Sequence, residues 1–250
     1  MVTNITIYHT ADMHNRRSAF PLLRNCRKNG GALLLDSGDA IGGSNTLFYP
    51  AEPILAEMNE VEYAAMAMGN REFHYLRSVI SMRARSVNFS LLAANIEDRS
   101  GRISHCWKDY IVLLSGGLKI GVTGLSPVQF PEESFLSMLS GFSFIPPREA
   151  LGRTMAKMKG EGVDFTILLS HLGIDDDRKI AESCSVDLVL GGHSHTLMKS
   201  PLSIGGTYIV HSGFFASHVG KVDLTFQEKV LASLTYEALP TGKDERGKRN

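Results

Sequence analysis

Short apolar runs recur along the whole chain and are bounded by glycine, aspartate, asparagine or serine. The runs are short and often rich in β-branched residues, a pattern typical of buried β-strands. Strands are therefore predicted at residues 5–9, 32–35, 64–68, 90–94, 110–114, 119–125, 165–170, 186–190, 208–210 and 219–226.

Between many of these runs lie longer segments whose apolar residues recur at spacings of three and four, the period of an amphipathic helix. Helices are predicted at residues 20–26, 53–61, 76–85, 147–158 and 175–183. Alternating strands and helices predict an α/β layered domain, and the strands after residue 186 indicate mixed pairing or a second sheet. No repeat or linker divides the chain, so one domain is expected over residues 1–240, followed by a polar tail at 241–250.

The composition is that of an ordinary folded protein, since 43% of the 250 residues are hydrophobic and 21% are charged. Lysine plus arginine and aspartate plus glutamate both count 26, so no net charge favours a nucleic-acid coat or an anionic membrane. The apolar runs are too short to cross a bilayer. Three cysteines without close pairing and no visible export signal lead us to expect a cytoplasmic protein.

Polar residues of metal-binding type directly follow five of the predicted strands. Sites in open α/β sheets form beyond the carboxyl ends of the strands, so residues distant in sequence are expected to converge there. Two pairs are spaced by two residues, and on extended backbone both members of a pair leave on the same face. The candidate ligands are Asp12, His14, Asp39, Asn70, His171, His193 and His195.

Oxygen and imidazole ligands without thiolate suit Mn, Fe, Zn, Co or Mg rather than a cysteine-rich structural zinc. Seven residues are too many for one tetrahedral ion, but with one bridging carboxylate they give four ligands to each of two ions. Two such ions lower the pKa of a shared water and hold the oxygens of an in-line displacement at phosphorus. Each motif alone is typical of a helix cap, a turn or a buried histidine, so the prediction depends on the whole set. One structural ion in an unrelated α/β domain is the alternative.

Five segments resemble the motifs of the metallophosphoesterase (calcineurin-like) superfamily, and within it the catalytic domain of the 5'-nucleotidase and UDP-sugar hydrolase group. They are residues 10–14 (TADMH), 36–39 (DSGD), 69–73 (GNREF), 170–173 (SHLG) and 191–195 (GGHSH). The resemblance implies a four-layer α/β/β/α sandwich of mixed sheets that holds two divalent ions, with Mn preferred over Zn, Fe, Co or Mg. It also implies that Asp39 bridges two ligand sets: Asp12, His14 and His195 for one ion, and Asn70, His171 and His193 for the other.

Two positions depart from the family pattern. The family has a catalytic histidine directly after the metal-binding asparagine and an aspartate three residues further on, whereas this sequence has Arg71 and His74. Arginine stays protonated and cannot protonate a leaving group, but its planar guanidinium can hold phosphate oxygens. We therefore assign Arg71 to catalysis and substrate binding, and His74 to proton donation as a hypothesis. Asn95 lies where the group often places an asparagine on the substrate side.

The sequence thus predicts a hydrolase that acts on a small phosphorylated molecule, either nucleotide-like or another phosphomonoester or diester, through a metal-activated bridging hydroxide. Loss of the family histidine favours substrates with good leaving groups, such as phosphoanhydrides and aryl esters. The alternative is a metal-binding member with reduced catalysis that serves as a phospholigand sensor or an interaction module. The chain ends soon after the last predicted core strand, so the resemblance carries no expectation of nucleoside specificity.

Overall fold

The computed structural model describes residues 1–28 and 30–242, and its strands form two large sheets and one short ribbon. Within these residues the strands, in chain order, are β1 (Val2–Thr10), β2 (Leu33–Asp36), β3 (Ala65–Ala67), β4 (Ser90–Leu92), β5 (Ile96–Asp98), β6 (Tyr110–Ser115), β7 (Leu118–Leu125), β8 (Phe142–Phe144), β9 (Phe165–Ser170), β10 (Leu188–Gly191), β11 (Leu202–Ile204), β12 (Thr207–His211), β13 (His218–Gln227) and β14 (Val230–Pro240).

Helices lie in many of the intervals between strands. They are α1 (Phe20–Lys28), α2 (Pro53–Glu60), α3 (Arg77–Arg85), α4 (Phe135–Ser140), α5 (Pro147–Gly160) and α6 (Ile174–Ser183), with a short 3-10 helix at Ser104–Cys106. Helices α2 and α5 begin with proline. The backbone N–H at the first helical position has no intrahelical partner in any helix, so proline loses no hydrogen bond there. Among the described helices, none combines the length and the apolar character needed to cross a membrane.

Each large sheet contains four adjacent parallel strands; β13 runs against them in the first sheet, and β11 and β6 do so in the second. The first sheet has the order β14-β13-β1-β2-β3-β4, in which β1 to β4 are parallel. The second has the order β11-β12-β10-β9-β7-β6, in which β12, β10, β9 and β7 are parallel. Strands β5 and β8 pair separately as an antiparallel ribbon. Parallel strands place their carboxyl ends at the same edge, which fixes where the loops after them meet.

Side chains alternate along each strand, so every central strand contributes to two apolar layers. The layer between the sheets contains, among others, Ile5, Ile7, Leu35, Ile167 and Leu169. The outer face of the first sheet packs on helices α1 to α3 through Leu34, Phe20, Leu23, Ile54 and Ile80. The outer face of the second sheet packs on α5 and α6 through Leu168, Val189, Leu151 and Ile180. The four-layer α/β/β/α arrangement of mixed sheets is therefore confirmed.

The structure adds elements that the apolar pattern did not predict. Strand β14 has mostly exposed or half-buried side chains, because it lies at an edge of the first sheet and pairs only with β13. Strands β5 and β8 are three residues each and pair across a long intervening segment. Of the predicted tail, Thr241 donates from its backbone N–H to the carbonyl of Ser217, and residues 243–250 lie outside the described residues.

Candidate metal centre

The predicted ligand segments meet at one edge of the two sheets. In the first sheet, β1 and β2 end level with each other, with Thr10 beside Asp36. In the second sheet, β9 and β10 also end level, with Ser170 beside Gly191. The loops after these strands are joined across the sheets, since the hydroxyl of Ser37 donates to a carbonyl of β10 at 2.6 Å. Ligands from both sheets therefore converge on one place.

Five of the seven predicted ligands form a contact cluster around Asp12. The Nε2 atoms of His14, His171 and His195 lie 3.9, 3.9 and 3.5 Å from Asp12 Oδ1. His171 Nε2 also lies 3.4 Å from Asp39 Oδ1, and the Nε2 atoms of His14 and His195 are 3.3 Å apart. Two groups have all their ligand atoms within 4.8 Å of one another: Asp12 with His14 and His195, and Asp12 with Asp39 and His171.

His171 and His193 are oriented by backbone contacts. His171 Nδ1 donates to the carbonyl of Ser37 at 2.7 Å, which turns its Nε2 toward the carboxylates. The His193 ring lies 5.0 Å from the His171 ring between centroids, and its backbone N–H donates to Asp12 Oδ2 at 2.8 Å. A partner on one ring nitrogen is usual for metal-binding histidines, because it fixes the ring and its tautomer.

Asn70 borders the same cluster. The backbone N–H of the next residue, Arg71, donates to Asp39 Oδ1 at 2.8 Å, which places the Asn70 segment against this carboxylate. The side-chain Oδ1 of Asn70 is buried and has no hydrogen-bond partner among the described residues. All seven predicted ligands therefore lie in or beside one cluster.

Three ligand atoms lack the partners that buried polar atoms normally have. Asp12 Oδ1, Asn70 Oδ1 and His171 Nε2 are buried and make no hydrogen bond within the described residues. A buried polar atom without a partner lowers the stability of the folded protein by about 1–3 kcal/mol, and such atoms are rare in native proteins. Oxygen and imidazole nitrogen atoms gathered at one point are a donor set for divalent cations. The residues present thus fit divalent metal ions.

The distances and the resemblance differ on which carboxylate is shared between two ions. Both close groups contain Asp12, whereas the resemblance makes Asp39 the bridge. The two carboxylates approach the same His171 Nε2, Asp39 at 3.4 Å and Asp12 at 3.9 Å. Both therefore border the position between the two ligand groups.

The ligand loops hold their residues in the left-handed backbone region. The angle φ is +51° at Asp12, +46° at His14, +57° at Asp39, +68° at His193 and +54° at His195. Residues with a Cβ rarely adopt such angles, and these outliers concentrate at functional sites. The prediction that each pair spaced by two lies on extended backbone is wrong, because both pairs lie in loops beyond the strand ends.

Two glycines allow the loops after β2 and β3 to touch. A Cβ on Gly38, whose φ is +96°, would lie 2.7 Å from the backbone nitrogen of Gly69. A Cβ on Gly69 would in turn lie 2.6 Å from the backbone nitrogen of Asp39. Only glycine permits this approach, so the two loops pack backbone to backbone beside the ligands.

Burial and charge act together on the central ionisable groups. Burial raises the pKa of Asp12. Burial acts in the same direction on Asp39, but the charge and hydrogen bond of His171 together with the backbone N–H of Arg71 lower the pKa of Asp39 overall. Burial lowers the pKa of His171, but the Asp39 and Asp12 carboxylates outweigh it and raise this pKa to about 9. Burial lowers the pKa of His14 to about 4. The carboxylates thus attract positive charge, which a bound cation can supply if His171 releases its proton.

Two buried charged residues that the sequence reasoning did not assign hold the loops on the Asp39 side. The carboxylate of Glu72 accepts from the backbone N–H groups of residues 39, 40, 41 and 69. The guanidinium of Arg83 donates to the carbonyls of residues 71, 72 and 73 and to those of residues 44 and 47. Glu72 lies within a family motif, but Arg83 looks like part of a solvated helix face in the sequence.

Two further buried histidines lie near the carboxyl ends of their strands, His9 in β1 and His211 in β12. His9 Nε2 donates to Ser37 Oγ at 2.8 Å, and its Nδ1 accepts from the hydroxyl of Ser212 at 3.2 Å. Burial and the charge of nearby His211 lower the pKa of His9 to about 3. His211 Nε2 in turn donates to Asp177 Oδ2 of α6 at 2.8 Å. The apolar runs that carry these histidines indicated burial but not their partners.

Arg71 faces the cluster from the Asp39 side, with 33% of its side chain exposed. Its Nε lies 3.5 Å from Asp39 Oδ2. Its Nη1 donates to the carbonyls of Gly42 and Gly43 at 3.2 and 3.0 Å. The guanidinium is therefore fixed next to the ligands while part of it remains open to solvent.

The two other predicted site residues have different surroundings. His74 Nδ1 accepts from the backbone N–H of Leu76 at 2.9 Å, and burial together with the charge of Arg83 lowers its pKa. Asn95 is fully buried, and its amide donates to the carbonyl of Ser126 and accepts from the N–H of the same residue, both at 2.8 Å. Because both polar atoms of Asn95 bind backbone, its contacts do not support a place on the substrate side. Proton donation by His74 stays a prediction that its contacts do not favour.

Sequence comparison identifies the family of the protein. The family model described as calcineurin-like phosphoesterase matches residues 5–197. The chain belongs to the calcineurin-like phosphoesterase family. Membership of this family of metal-dependent phosphoesterases confirms the resemblance of the five motifs.

Similar proteins extend this result. The 5'-nucleotidase of Vibrio cholerae serotype O1 is 27% identical over 284 residues, which cover 94% of this chain and 51% of that protein. The 5'-nucleotidase precursor from Thermus thermophilus superposes with a TM-score of 0.80 at 25% identity, covering 96% of this chain and 55% of that one. The calcineurin-like phosphoesterase YfkN from Bacillus subtilis, at 20% identity and a TM-score of 0.80, covers 98% of this chain and 94% of its own, and shows the shared fold. The chain spans about half the length of the curated relatives it matches.

Proposed function

We propose that this family member hydrolyses phosphoesters of small, nucleotide-like molecules with the help of two divalent ions. The observation that carries the proposal is the convergence of buried, partnerless ligand atoms of Asp12, Asn70 and His171. Family membership supports phosphoester hydrolysis, and the 5'-nucleotidases among similar proteins support a nucleotide-like substrate. We also propose that residues 1–240 act as one catalytic domain, and a cytoplasmic location stays a prediction.

The ions would be held by two ligand sets that share a carboxylate. When bound, they activate water and hold the oxygens of a phosphoryl group in line for displacement. The carboxylate, amide and imidazole donors suit several divalent metals, among which we propose Mn. The sets are Asp12, His14, Asp39 and His195 for one ion, and Asp39, Asn70, His171 and His193 for the other.

Arg71 binds the phosphoryl group in this proposal. Its guanidinium lies beside Asp39 and is partly exposed, so it can donate hydrogen bonds to phosphoryl oxygens. Because arginine keeps its proton, it offsets negative charge without protonating the leaving group. Substrates whose leaving groups need no proton, such as aryl esters and phosphoanhydrides, are therefore expected to react fastest.

Hydrolysis of p-nitrophenyl phosphate and bis-p-nitrophenyl phosphate with added Mn²⁺ tests the proposal. The protein is expected to turn over at least one of them, and Asp39→Asn to lose about a thousandfold in kcat/KM, because several kcal/mol of charge stabilisation depend on the ions. The matched control is Asp223→Asn, an aspartate on β13 that binds Thr6 and Lys221 and is expected to keep full activity. No metal-dependent hydrolysis across these and other phosphoesters would overturn the proposal.

A second function, sensing of phosphorylated ligands with little catalysis, is favoured by Arg71. Its bonds to Gly42 and Gly43 fix a cation where the family has a proton-donating histidine. Such a site binds a phosphoryl group but lacks an acid for poor leaving groups. Metal-dependent binding of phosphate esters without turnover would support this second function over the first.

A further inference from the structure

The rim of the cluster on the His14 and His195 side is aromatic. Phe214 and Phe215 lie in the loop between β12 and β13 and are exposed to 38% and 46%. The Phe214 ring stacks on the imidazole of His195, with centroids 4.5 Å apart and an interplanar angle of 8°. Phe215 meets the ring of His14 edge-on at 5.3 Å and lies 4.8 Å from Phe214. Two large apolar rings are thus exposed in direct contact with predicted ligands.

The loop holds these rings in place despite an unfavourable backbone. Phe215 has a φ of +54°, a strained value for a bulky side chain. Its backbone N–H donates to the carbonyl of Asp12 at 2.8 Å, and the N–H of Gly213 donates to the carbonyl of Thr196 at 2.9 Å. The loop is therefore tied to the backbone of both ligand segments on this side. Backbone strain coincides with apolar exposure at Phe215, and the neighbouring Phe214 is exposed as well, which marks the rings as a binding surface.

Neighbouring side chains extend this surface. Leu197 follows His195 by two residues, is 43% exposed and lies near Gly213 of the aromatic loop. The guanidinium carbon of Arg16 lies 5.7 Å from the centroid of the Phe215 ring. Because Phe214 touches His195 directly, a group ester-linked to a phosphoryl at the cluster reaches the rings. The two rings are tilted by 57° to each other, so the surface is an apolar corner with a cation at its edge.

We propose that Phe214 and Phe215 form a stacking surface for the planar aromatic group of the substrate, whose phosphoryl group lies at the cluster. A planar ring is favoured over an alkyl chain because stacking uses the exposed ring area and the neighbouring cation together. This inference rests on the proposed function and narrows its substrates to phosphoesters that carry a nucleobase or an aryl group.

Kinetics of Phe214→Leu and Phe215→Leu test the stacking surface. The substrates are adenosine 5'-monophosphate and phenyl phosphate, with ribose 5-phosphate and glycerol phosphate as non-aromatic partners. KM is expected to rise about tenfold for the aromatic substrates at unchanged kcat, and less than about twofold for the others. An effect on adenosine 5'-monophosphate alone identifies a nucleobase, and an effect on phenyl phosphate alone identifies an aryl group. Phe135→Leu, an exposed ring on α4, is the matched control and is expected to change nothing.

Equal losses on aromatic and non-aromatic substrates would show that the rings only position His14 and His195, and would overturn the inference. Phe214→Trp separates stacking from loop damage, because a larger ring is expected to keep or lower the KM for aromatic substrates. No rescue by Phe214→Trp, with KM raised equally for all substrates, would likewise count against stacking.

A binding experiment separates this inference from the proposed function. Saturation-transfer NMR with adenosine, which has no phosphate, is expected to show binding to the metal-free protein and its loss in the double variant Phe214→Leu/Phe215→Leu. If the protein hydrolyses nothing but binds adenosine through these rings, the proposed function fails and the surface stands. If it hydrolyses phosphoesters, and adenosine does not bind or binds the double variant equally, the stacking surface is overturned.

Discussion

The two sides of the metal cluster are built in different ways. On the Asp39 side, the buried charges of Glu72 and Arg83 bind the backbone of the loops that carry the ligands. On the other side, the loop of Phe214 and Phe215 is held by backbone hydrogen bonds and ring contacts, and its side chains are exposed. The first side resembles a protein interior, whereas the second has the exposed apolar area of a binding surface.

This contrast distinguishes residues that hold the ligand loops in place from residues that can contact a substrate. A buried carboxylate that accepts four backbone N–H groups fixes loop geometry, because the bonds are screened from water. Exposed rings cannot fix a ligand equally well, but they remain available to a substrate. We therefore expect changes on the Asp39 side to act on stability and chemistry, and changes on the aromatic side to act on KM.

The largest effect is expected for Glu72→Gln. The glutamine side chain replaces one carboxylate oxygen with an NH2 group, which cannot accept a hydrogen bond. Buried backbone N–H groups then lack an acceptor, so the free energy of unfolding should fall by about 2–4 kcal/mol. Urea unfolding measures this change. Glu132→Gln, which removes an exposed ion pair with Arg99, should cost less than about 1 kcal/mol.

The same measurement on Phe215→Leu tests the contrast directly. A half-exposed ring on the open side should contribute less than about 1 kcal/mol to stability. If this variant loses as much stability as Glu72→Gln, the two sides are equally structural and the comparison fails.

The next effect is expected for Arg71→His. This change puts an imidazole where the family has its catalytic histidine, so kcat on an alkyl phosphate with a poor leaving group should rise about tenfold. Steady-state kinetics with glycerol phosphate and p-nitrophenyl phosphate measure it, since the aryl ester should gain little. Arg71→Gln, which removes the charge without adding an acid, is the control and should show no gain. No gain in Arg71→His, together with collapse in His74→Ala, would assign proton donation to His74.

The smallest effect is expected in the change of stability between pH 7 and pH 5.5. His9 joins the two sides, because it bonds Ser37 in the Asp39 loop and Ser212 next to the aromatic loop. Its pKa of about 3 in the folded protein lies below the ordinary 6.5, so on acidification the unfolded chain takes up a proton before the folded one. Its contribution is complete above about pH 6.5 and is lost between about pH 6.5 and 3, at up to about 1.4 kcal/mol per pH unit.

Urea unfolding at pH 7 and pH 5.5 measures this slope. The slope should be shallower in His9→Gln than in the unchanged protein, whereas the exposed His105→Gln should keep it. Equal slopes in all three proteins would show that the burial of His9 does not govern the acid sensitivity.

Much of the fold and the ligand set was predictable because the signals are local. A ligand-type residue directly after an apolar run, as with His171 after β9, requires only that the run be a strand. The burial of Leu34 and Leu35 on opposite faces of β2 follows from the period of two. Strand β14 was missed because an edge strand with exposed side chains lacks a continuous apolar run.

The supporting contacts were not predictable because they join distant segments. Glu72 binds the backbone of Asp39, and His9 binds Ser212 at the other end of the chain. The left-handed φ at the ligands and the exposure of Phe214 likewise arise from how the loops close on each other. No pattern within a single sequence carries this information, and Arg83 shows how a basic helix residue can lie buried.

The central claim is that two ions bind where the loops of both sheets meet. Anomalous diffraction at the manganese edge, from crystals of the full chain grown with Mn²⁺, tests it most directly. The account predicts two peaks about 3.5–4 Å apart, one beside His14 and His195 and the other beside Asn70 and His171. A single peak, or none between Asp12 and Asp39, would contradict it.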